Sequence, residues 1–514
     1  MKKLLALVLA AIMAFSVMSF ATAEAAEEPF VLSVMLPDFY TDVEFVREGN
    51  PLLDYIQEQT GVKLDIQLQA NSSYGDILAT TLATPDSMPN LISFPGRDNT
   101  FVQNVNAFWD LTPYVFDTET YPWLANEAGL NIHKSTAVDG KVYGVFRSRA
   151  FPRAGIYYRS DIAAQVGITK EPETIEELTA LAEALAGYSE DTYALNMVGN
   201  YTAGTINVIT VAMGAPNTWG VDENGNVYPA HESPAYLEGL KWLRHLYEIG
   251  GIDPNFVTVT SSDWDNIERT GKAFMRFDCN DNAHRQQEWF EKNEGVTEQI
   301  FEELIGLKKA DGSITCWPQN AGYAGLVVVT KTVKEEDLPK VMKFLDWCNS
   351  YDGQMLLNAG LENVTYWIWA DGTRHTYPEE VAGDSEEMVA KQKEYTDKNV
   401  TIQGSINQLT MGVPGDLTSS KYPTASTPLR DEYAANNIEF AKYAVLNPCA
   451  TLTSETYTAF GSTLDTLLSD AAVQFISCVI DEDELKSIWE QWSEEGGEQI
   501  KAEYTAAYQA ANAQ

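Results

Sequence analysis

Basic residues are scarce in this chain. Its 514 residues carry 34 Lys and Arg against 74 Asp and Glu, a formal net charge of −40. Such a surface repels phosphate backbones and anionic lipid heads, which argues against nucleic acid as a partner. Cysteine is sparse as well. Cys279, Cys316, Cys348, Cys449 and Cys478 are widely spaced, odd in number and form no C-x-x-C pair. A disulfide framework or a zinc site is not expected, although one bridge stays possible, and most of the five read as small buried hydrophobes. The five histidines fall into no H-E-x-x-H, and neither a G-x-S-x-G elbow nor a phosphate loop occurs. These absences lower the case for an enzyme. Glycoside hydrolysis needs only two suitably spaced carboxylates, and among 74 acids such pairs arise by chance, so their presence carries no force. No cofactor and no metal are expected.

Long apolar runs are missing too, with one exception. Lys2 and Lys3 precede an apolar run from Leu4 to about Ala21, followed by Ala21-Thr22-Ala23 and Ala23-Glu24-Ala25. This is the form of a secretory signal peptide over residues 1–25. The alternative is a retained anchor, because the run approaches the ~18 residues that span a bilayer. No cysteine stands at the cleavage site, so no lipid anchor is encoded there. Export across the cytoplasmic membrane is the expectation, to the periplasm or the cell surface.

What is abundant is aromatic: 12 Trp and 25 Tyr in a chain long enough for two or more lobes. The mature start, PFVLSVMLPDFY, reads as a strand, NPLLDYIQEQTG as a helix stopped by Gly61, VKLDIQLQ as an alternating strand, and LISF as a further strand after a second helix. That alternation predicts an α/β lobe with a largely parallel sheet, whose ligands sit beyond the strands' carboxyl ends. The loops there are PDFYTD, NSSYG and PGRDNT. Downstream, Thr174 caps a helix with Glu177 in the capping-box position, VDENGNVYPA reads as a hairpin, AGLVVVTKTV as a strand, and the chain from about Glu439 as mostly helical. No internal repeat or linker divides the chain, so its domains must be interleaved.

Several stretches, in order, resemble bacterial extracellular solute-binding proteins of carbohydrate ABC importers, in particular the lipoprotein or aldouronate-type oligosaccharide-binding subgroup. They are DYIQEQTGVKL, LATPDSMPNLI, FWDLTPYV, AVDGKVYGV, IYYRSDIAAQVGI, LYEIGGIDPNF, GKAFM, FLDWCNSYDGQMLLNAGLENVTYW and DELKSIWEQWSEEGGEQIKAEYTAAY. The resemblance implies a two-lobe periplasmic-binding-protein-like fold, each lobe a mixed sheet flanked by helices, joined by hinge-crossing segments. Crossings would fall near Phe151–Tyr157, near Gln319–Gly325 and soon after Tyr366. Lobe 1 would combine 27–153 with 322–372, and lobe 2 would combine 154–321 with 373–514. It also implies a monomer that captures an oligosaccharide and delivers it to membrane permease subunits. The chain departs from many relatives in lacking a lipid-anchoring Cys, and AGYSEDTYALNMVGN lacks the spacing of the calcium loop some relatives carry. Other readings are a peptide or small-anion binder, a binder that feeds a sensor, and a secreted carbohydrate-active enzyme.

A sugar cleft needs aromatic faces for the C–H surfaces and polar groups for the hydroxyl edges. Tyr40 beside Phe39 follows the first strand, and Arg97 with Asp98 follows LISF. Arg147, Arg149 and Arg153 cluster before the first crossing. They could bind an anionic group such as a uronate or pair with surrounding acids, and the acidic surplus favours pairing. Arg149 stands as the binding candidate of the three. Tyr157 alternates with Tyr158 on a strand, so at most one faces the cleft. Trp264 lies between Asp263 and Asp265, Arg276 and Asp278 end a strand, and Trp317 and Tyr323 flank the second crossing. Tyr366 and Trp367, in NVTYWIWADG, would sit beside the cleft at the third.

Overall fold

A computed structural model describes residues 29–40, 44–125, 127–411 and 427–512. The expected export signal at 1–25 lies outside them. Four strands come first: β1 (Phe30–Asp38), β2 (Val62–Ala70), β3 (Leu91–Phe94) and β4 (Gly144–Ser148). The next six are β5 (Ala154–Arg159), β6 (Tyr193–Leu195), β7 (Trp219–Val221), β8 (Val227–Pro229), β9 (Ala273–Cys279) and β10 (Phe301–Leu304). β11 (Tyr323–Val329), β12 (Trp367–Ile368) and β13 (Arg374–His375) complete the set.

The first sheet has the order β2-β1-β3-β11-β4. β1 runs parallel to β2 and β3, while β11 is antiparallel to both β3 and β4. The sheet is therefore mixed. β11 is reversed because it carries the chain back from the other lobe, against the strands that run toward that lobe. β1, with a strand on either side, is buried almost throughout its middle, whereas edge strand β2 buries only Val62, Leu64 and Ile66 at every second position. The helix Pro51–Thr60 between them starts at Asn50, whose side chain accepts from the amides of Leu52 and Leu53, and ends at Gly61 with φ 69°. Asn50 is buried, and its Nδ2 also donates to the carbonyls of Val46 and Ile402. One cap residue thus ties the early helix to a segment 352 residues later.

The second sheet has the order β10-β5-β9-β6. β7 and β8 form a hairpin whose turn is organised by Asp222, accepting from the amides of Asn224 and Asn226. This hairpin packs through Trp219 and Val227 on C-terminal residues Trp492, Ile500 and Tyr504. One core joins Leu32 through Met411, and another joins Ala154 through Leu485. The chain leaves the first sheet after Ser148, passes a cis Phe151–Pro152 peptide and enters the second at Ala154; it returns between Leu304 and Tyr323. Ile402, Ile406, Leu409 and Met411 all pack in the first core, whereas Leu429 packs beside Tyr157 and Phe301 of the second lobe. The chain has therefore changed lobes between Met411 and Leu429, not soon after Tyr366, and 373–411 sits with the first lobe. All five cysteines are free, with only Cys478 exposed.

Strand β10 carries an electrostatic liability. Glu303 is 2% exposed, accepts from Asn436 Nδ2 at 2.7 Å, and leaves Oε2 without a partner among the described residues. Burial, then nearby Glu432, Asp281 and Glu171, push its carboxyl up to about 8, from an ordinary 4.5. The folded protein thus holds a proton there that the unfolded chain releases. Its contribution is complete below the unfolded value and is lost as pH rises through about 8. We expect the melting temperature to fall from pH 6 to pH 9. Glu303→Gln should flatten that slope, stabilising at about pH 9 and changing little at about pH 5. Thermal unfolding across pH checks this, and a parallel profile in the variant would refute it.

Candidate functional site

The carboxyl ends of β1, β2 and β3 and the end of β4 face the second lobe. Two cavities open there, and the loop after β3 borders both. The larger, about 620 Å³, lies between Arg97, Asp98 and Asn99 of the first lobe and Thr218, Trp219, residues 447–470 and Tyr504 of the second. The smaller, about 160 Å³, is lined by Phe39, Asn71, Phe94, Arg147, Arg149 and Gln408.

Arg97 fastens one lobe to the other. Its Nε donates to Ala137 O within the first lobe at 3.2 Å, while Nη1 and Nη2 reach Ala450 O at 3.0 Å and Thr451 O at 3.2 Å across the gap. Asp98 caps the helix Asn99–Asn104 by accepting from Phe101 N, and that helix points two amides at the same partner segment. Asn99 Nδ2 reaches Tyr457 O at 3.4 Å, and Gln103 Nε2 reaches Thr458 O at 2.9 Å. The partner segment is rigid because Ser454 caps the helix Glu455–Ile476 and is itself held by Glu503. Inside the larger cavity, Tyr457 donates to Asp465 at 2.6 Å and its ring lies 6.0 Å from that of Tyr504. Hydroxyls of Thr453, Ser462, Thr466 and Ser469 complete a lining of aromatic faces and hydrogen-bonding edges.

The expected ligand contacts divide sharply. Arg97 borders the larger cavity and Arg149 the smaller. Tyr40 is exposed at the cleft rim, its amide bonded to Asp38 Oδ1. Trp317 is half-buried at the second passage and donates to Asn217 Oδ1 at 3.2 Å. Tyr323 pairs with Ser148 where β11 and β4 meet.

Tyr157, Trp264 and Arg276 are not available to a ligand. Arg276 is 2% exposed, with its guanidinium 5.1 Å from the Tyr157 ring and 4.8 Å from the Trp264 ring. Its Nε faces Glu268 Oε1 at 3.4 Å, and Nη1 donates to Asp265 Oδ1 at 3.2 Å. Tyr157 donates to Glu268 Oε2 at 2.7 Å, Asn196 donates to Oε1 at 2.8 Å, and Trp264 Nε1 donates to Asn196 O. Burial works against the charge on Arg276, but Tyr157, Glu268, Asp278 and Asp265 hold it above its usual value. Asp278 borders this network, buried and accepting from Asn282 at 2.6 Å. These residues build a second-lobe wall that supports the cleft and do not line it. The run of polar residues around Trp264 suggested exposure, yet the helix Trp264–Arg269 turns the indole inward.

NVTYWIWADG lies on the first lobe, with Tyr366 buried and Trp367 half-buried. Trp367–Ile368 pairs with Arg374–His375 in a hairpin on the first lobe. Tyr366 is buried beside Met355 and Ala359, Trp367 meets Tyr395 edge-on, and Trp369 stacks on His375 at 3.4 Å. The three aromatics hold a small hairpin together. Tyr457, Asp465, Tyr504, Asn99 and Gln103 were not singled out from sequence. Their signal was weak: the C-terminal region reads only as helix, and nothing local shows that it faces LISF. Among the described residues no group of three or more His, Cys, Asp or Glu could hold a metal, and no helix is long and apolar enough to cross a membrane.

Two α/β lobes with interleaved chain, facing each other across a polar and aromatic cleft, define a solute-binding protein. The chain belongs to the family of bacterial extracellular solute-binding proteins, whose description matches residues 44–355. It is 28% identical over 525 aligned residues to lipoprotein LipO of Bacillus subtilis, covering 99% of this chain and 98% of that protein. It is 25% identical over 468 to the polygalacturonan/rhamnogalacturonan-binding protein YtcQ of the same organism, covering 89% and 87%. The fold is shared with the alginate-binding protein AlgQ2 solved without calcium, at TM-score 0.69 and 16% identity over 94% of this chain and 98% of that one. An HMO binding ABC-transporter associated solute binding protein from Bifidobacterium longum infantis gives TM-score 0.67 at 13% identity, over 94% of this chain and 99% of that one.

Because Arg276 is the only cation in contact with buried Glu268 among the described ion pairs, removing it strands that carboxylate. Arg276→Ala should cost about 3–5 kcal/mol of stability in denaturant unfolding. A loss confined to ligand affinity, with stability intact, would return Arg276 to the binding surface.

Proposed function

We propose that this protein captures an oligosaccharide between its two lobes and delivers it to the permease of an ABC importer, without altering it chemically. The observation that carries the reading is the larger cavity, spanning both lobes and offering the Tyr457 ring beside hydroxyl and carboxylate edges. Aromatic faces suit pyranose C–H surfaces, and paired hydroxyl-bonding groups suit their rims. The family and the sugar-binding names among its relatives and structural neighbours support it. The protein works as a monomer outside the cytoplasmic membrane, where its family acts.

Capture works by hinge motion at the passages between sheets, with Arg97, Asn99 and Gln103 as the latch opposite the hinge. Only a ligand that binds the closed form better can shift the balance. Arg97→Ala removes two charge-assisted bonds across the gap, each worth about 1.5–3 kcal/mol at most. We expect a larger radius of gyration in solution scattering without ligand and weaker binding. Identical scattering curves for variant and wild type would remove the latch.

Thermal unfolding against neutral and acidic oligosaccharides, with amino acids and peptides as controls, tests the class of ligand. Binding to the native state alone raises the midpoint by mass action. A shift with peptides and with no sugar would overturn the reading, as would measured turnover of a sugar. Tyr457→Ala should weaken a sugar that does bind by about 1–3 kcal/mol, on the scale of ring stacking elsewhere.

A further inference from the structure

The outgoing passage and the return passage between the lobes run side by side, stitched together by hydrogen bonds. Arg149 N donates to Gly322 O at 3.0 Å and Arg153 N to Pro318 O at 3.2 Å, while Asn320 Nδ2 donates to Ala150 O at 3.3 Å. Within the return passage Gln319, Gly322 and Gly325 turn left-handed, at φ 66°, 86° and 112°. Glycine adopts that conformation freely, but the Cβ of Gln319 crowds the following carbonyl oxygen. A strained residue therefore stands where the chain leaves the second lobe. It lies between two rungs, Pro318 to Arg153 on the second-lobe side and Asn320 to Ala150 on the first-lobe side.

Its own side chain holds Gln319 there. Nε2 donates to the Tyr201 hydroxyl at 2.7 Å, and Oε1 accepts from the Cys279 thiol at 3.5 Å. Both partners belong to the second lobe: Tyr201 immediately precedes the helix Thr202–Ala212, and Cys279 ends β9. Neither can follow the first lobe when it moves. The Tyr201 ring packs edge-on against Trp264 at 5.0 Å, and that indole is fixed in turn by the Arg276 network. Burial, then Asp278 and Cys279, hold the Tyr201 hydroxyl well above its ordinary value, so it stays protonated and accepts from Gln319.

We infer that Gln319 is the positioning residue that sets the balance between closed and open lobes, with its bond to Tyr201 holding the closed side. This rests on capture by hinge motion, proposed above, and names the residue at which that motion is controlled. In the latched arrangement the Tyr201 bond offsets the backbone strain. A turn of Gln319 to an ordinary φ relieves the strain, breaks both side-chain bonds and redirects the chain entering the first lobe. Strain and bond thus oppose each other at one residue, and the lobes stay poised between two arrangements instead of locked in one.

The test is solution scattering of the full mature protein without ligand, in an Arg97→Ala background where the far latch no longer holds the lobes. Adding Tyr201→Phe removes the bond and leaves the strain. The balance should move toward open by about three- to tenfold, and the radius of gyration should rise above that of Arg97→Ala alone. Adding Gln319→Gly to that pair frees the left-handed backbone of strain, and the radius should fall back. Melting temperatures separate this from a merely structural role, which would lower stability in Tyr201→Phe with no change in the curve; that result overturns the inference. So does a radius that Gln319→Gly fails to bring back. If Arg97→Ala differs from wild type while Tyr201→Phe adds nothing, Gln319 is not the control point and hinge capture stands. If no variant changes the curve, both fall.

Discussion

The cleft depends on one pairing, Tyr323 with Ser148, where the outgoing strand β4 and the returning strand β11 lie side by side at the edge of the first sheet. Both must cross to the other lobe at that point. Their shared register therefore sets where the hinge lies, which strand ends face the second lobe, and which side chains stand between the two. Because β4 ends at Ser148, Arg147 and Arg149 have no choice but to enter the gap. Because β11 begins there in the opposite sense, its bulge at Gly325 opens space beside them. Slipping this pairing by one residue would turn the arginines to the other face of the sheet and empty the pocket of charge.

The two walls of the cleft are stiffened by different means. The first lobe relies on apolar packing of a sheet whose central strands are buried on both faces, so its loops inherit the rigidity of β1 and β3. The second lobe instead buries a charge. Arg276, between two aromatic rings and beside Glu268, makes a network in which every partner is positioned by another: Asn196 by Trp264, Asp265 by Arg269 and Gln286. Such a network contributes less net stability than an apolar core of equal volume, but it fixes one arrangement of side chains.

Local signals were legible in sequence. Asn50 and Gly61 bound the first helix, Thr174 caps the helix at Ile175–Ala186, and D-E-N-G-N makes the β7–β8 turn, because caps and turns are decided by residues within a few positions. The two-lobe fold was implied by the resemblance to solute-binding proteins, and the fold bears that out. What failed was the facing of Trp264, Tyr157 and Arg276, all buried. Trp, Tyr and Arg are equally at home on a ligand, in a core or in a cation–ring sandwich, and Trp264, Tyr157 and Arg276 took the last of these. The third passage was misplaced for a related reason. The hairpin of NVTYWIWADG looks like a cleft loop in isolation, and only the contact of Ile402 with the Asn50 cap shows that the chain has not yet left the first lobe.

Charge resolves what at first looks contradictory: a protein of net charge −40 with a cationic cleft floor. The two act at different ranges. At physiological ionic strength the field of the distant acids is screened over about 8 Å, so it governs encounter and solubility and hardly reaches a group already inside the gap. Within the pocket the nearest charges decide: Arg147, Arg149 and Arg153, with Asp281 beside them, paired with Arg153 and Arg285 and supporting the charge on Arg149.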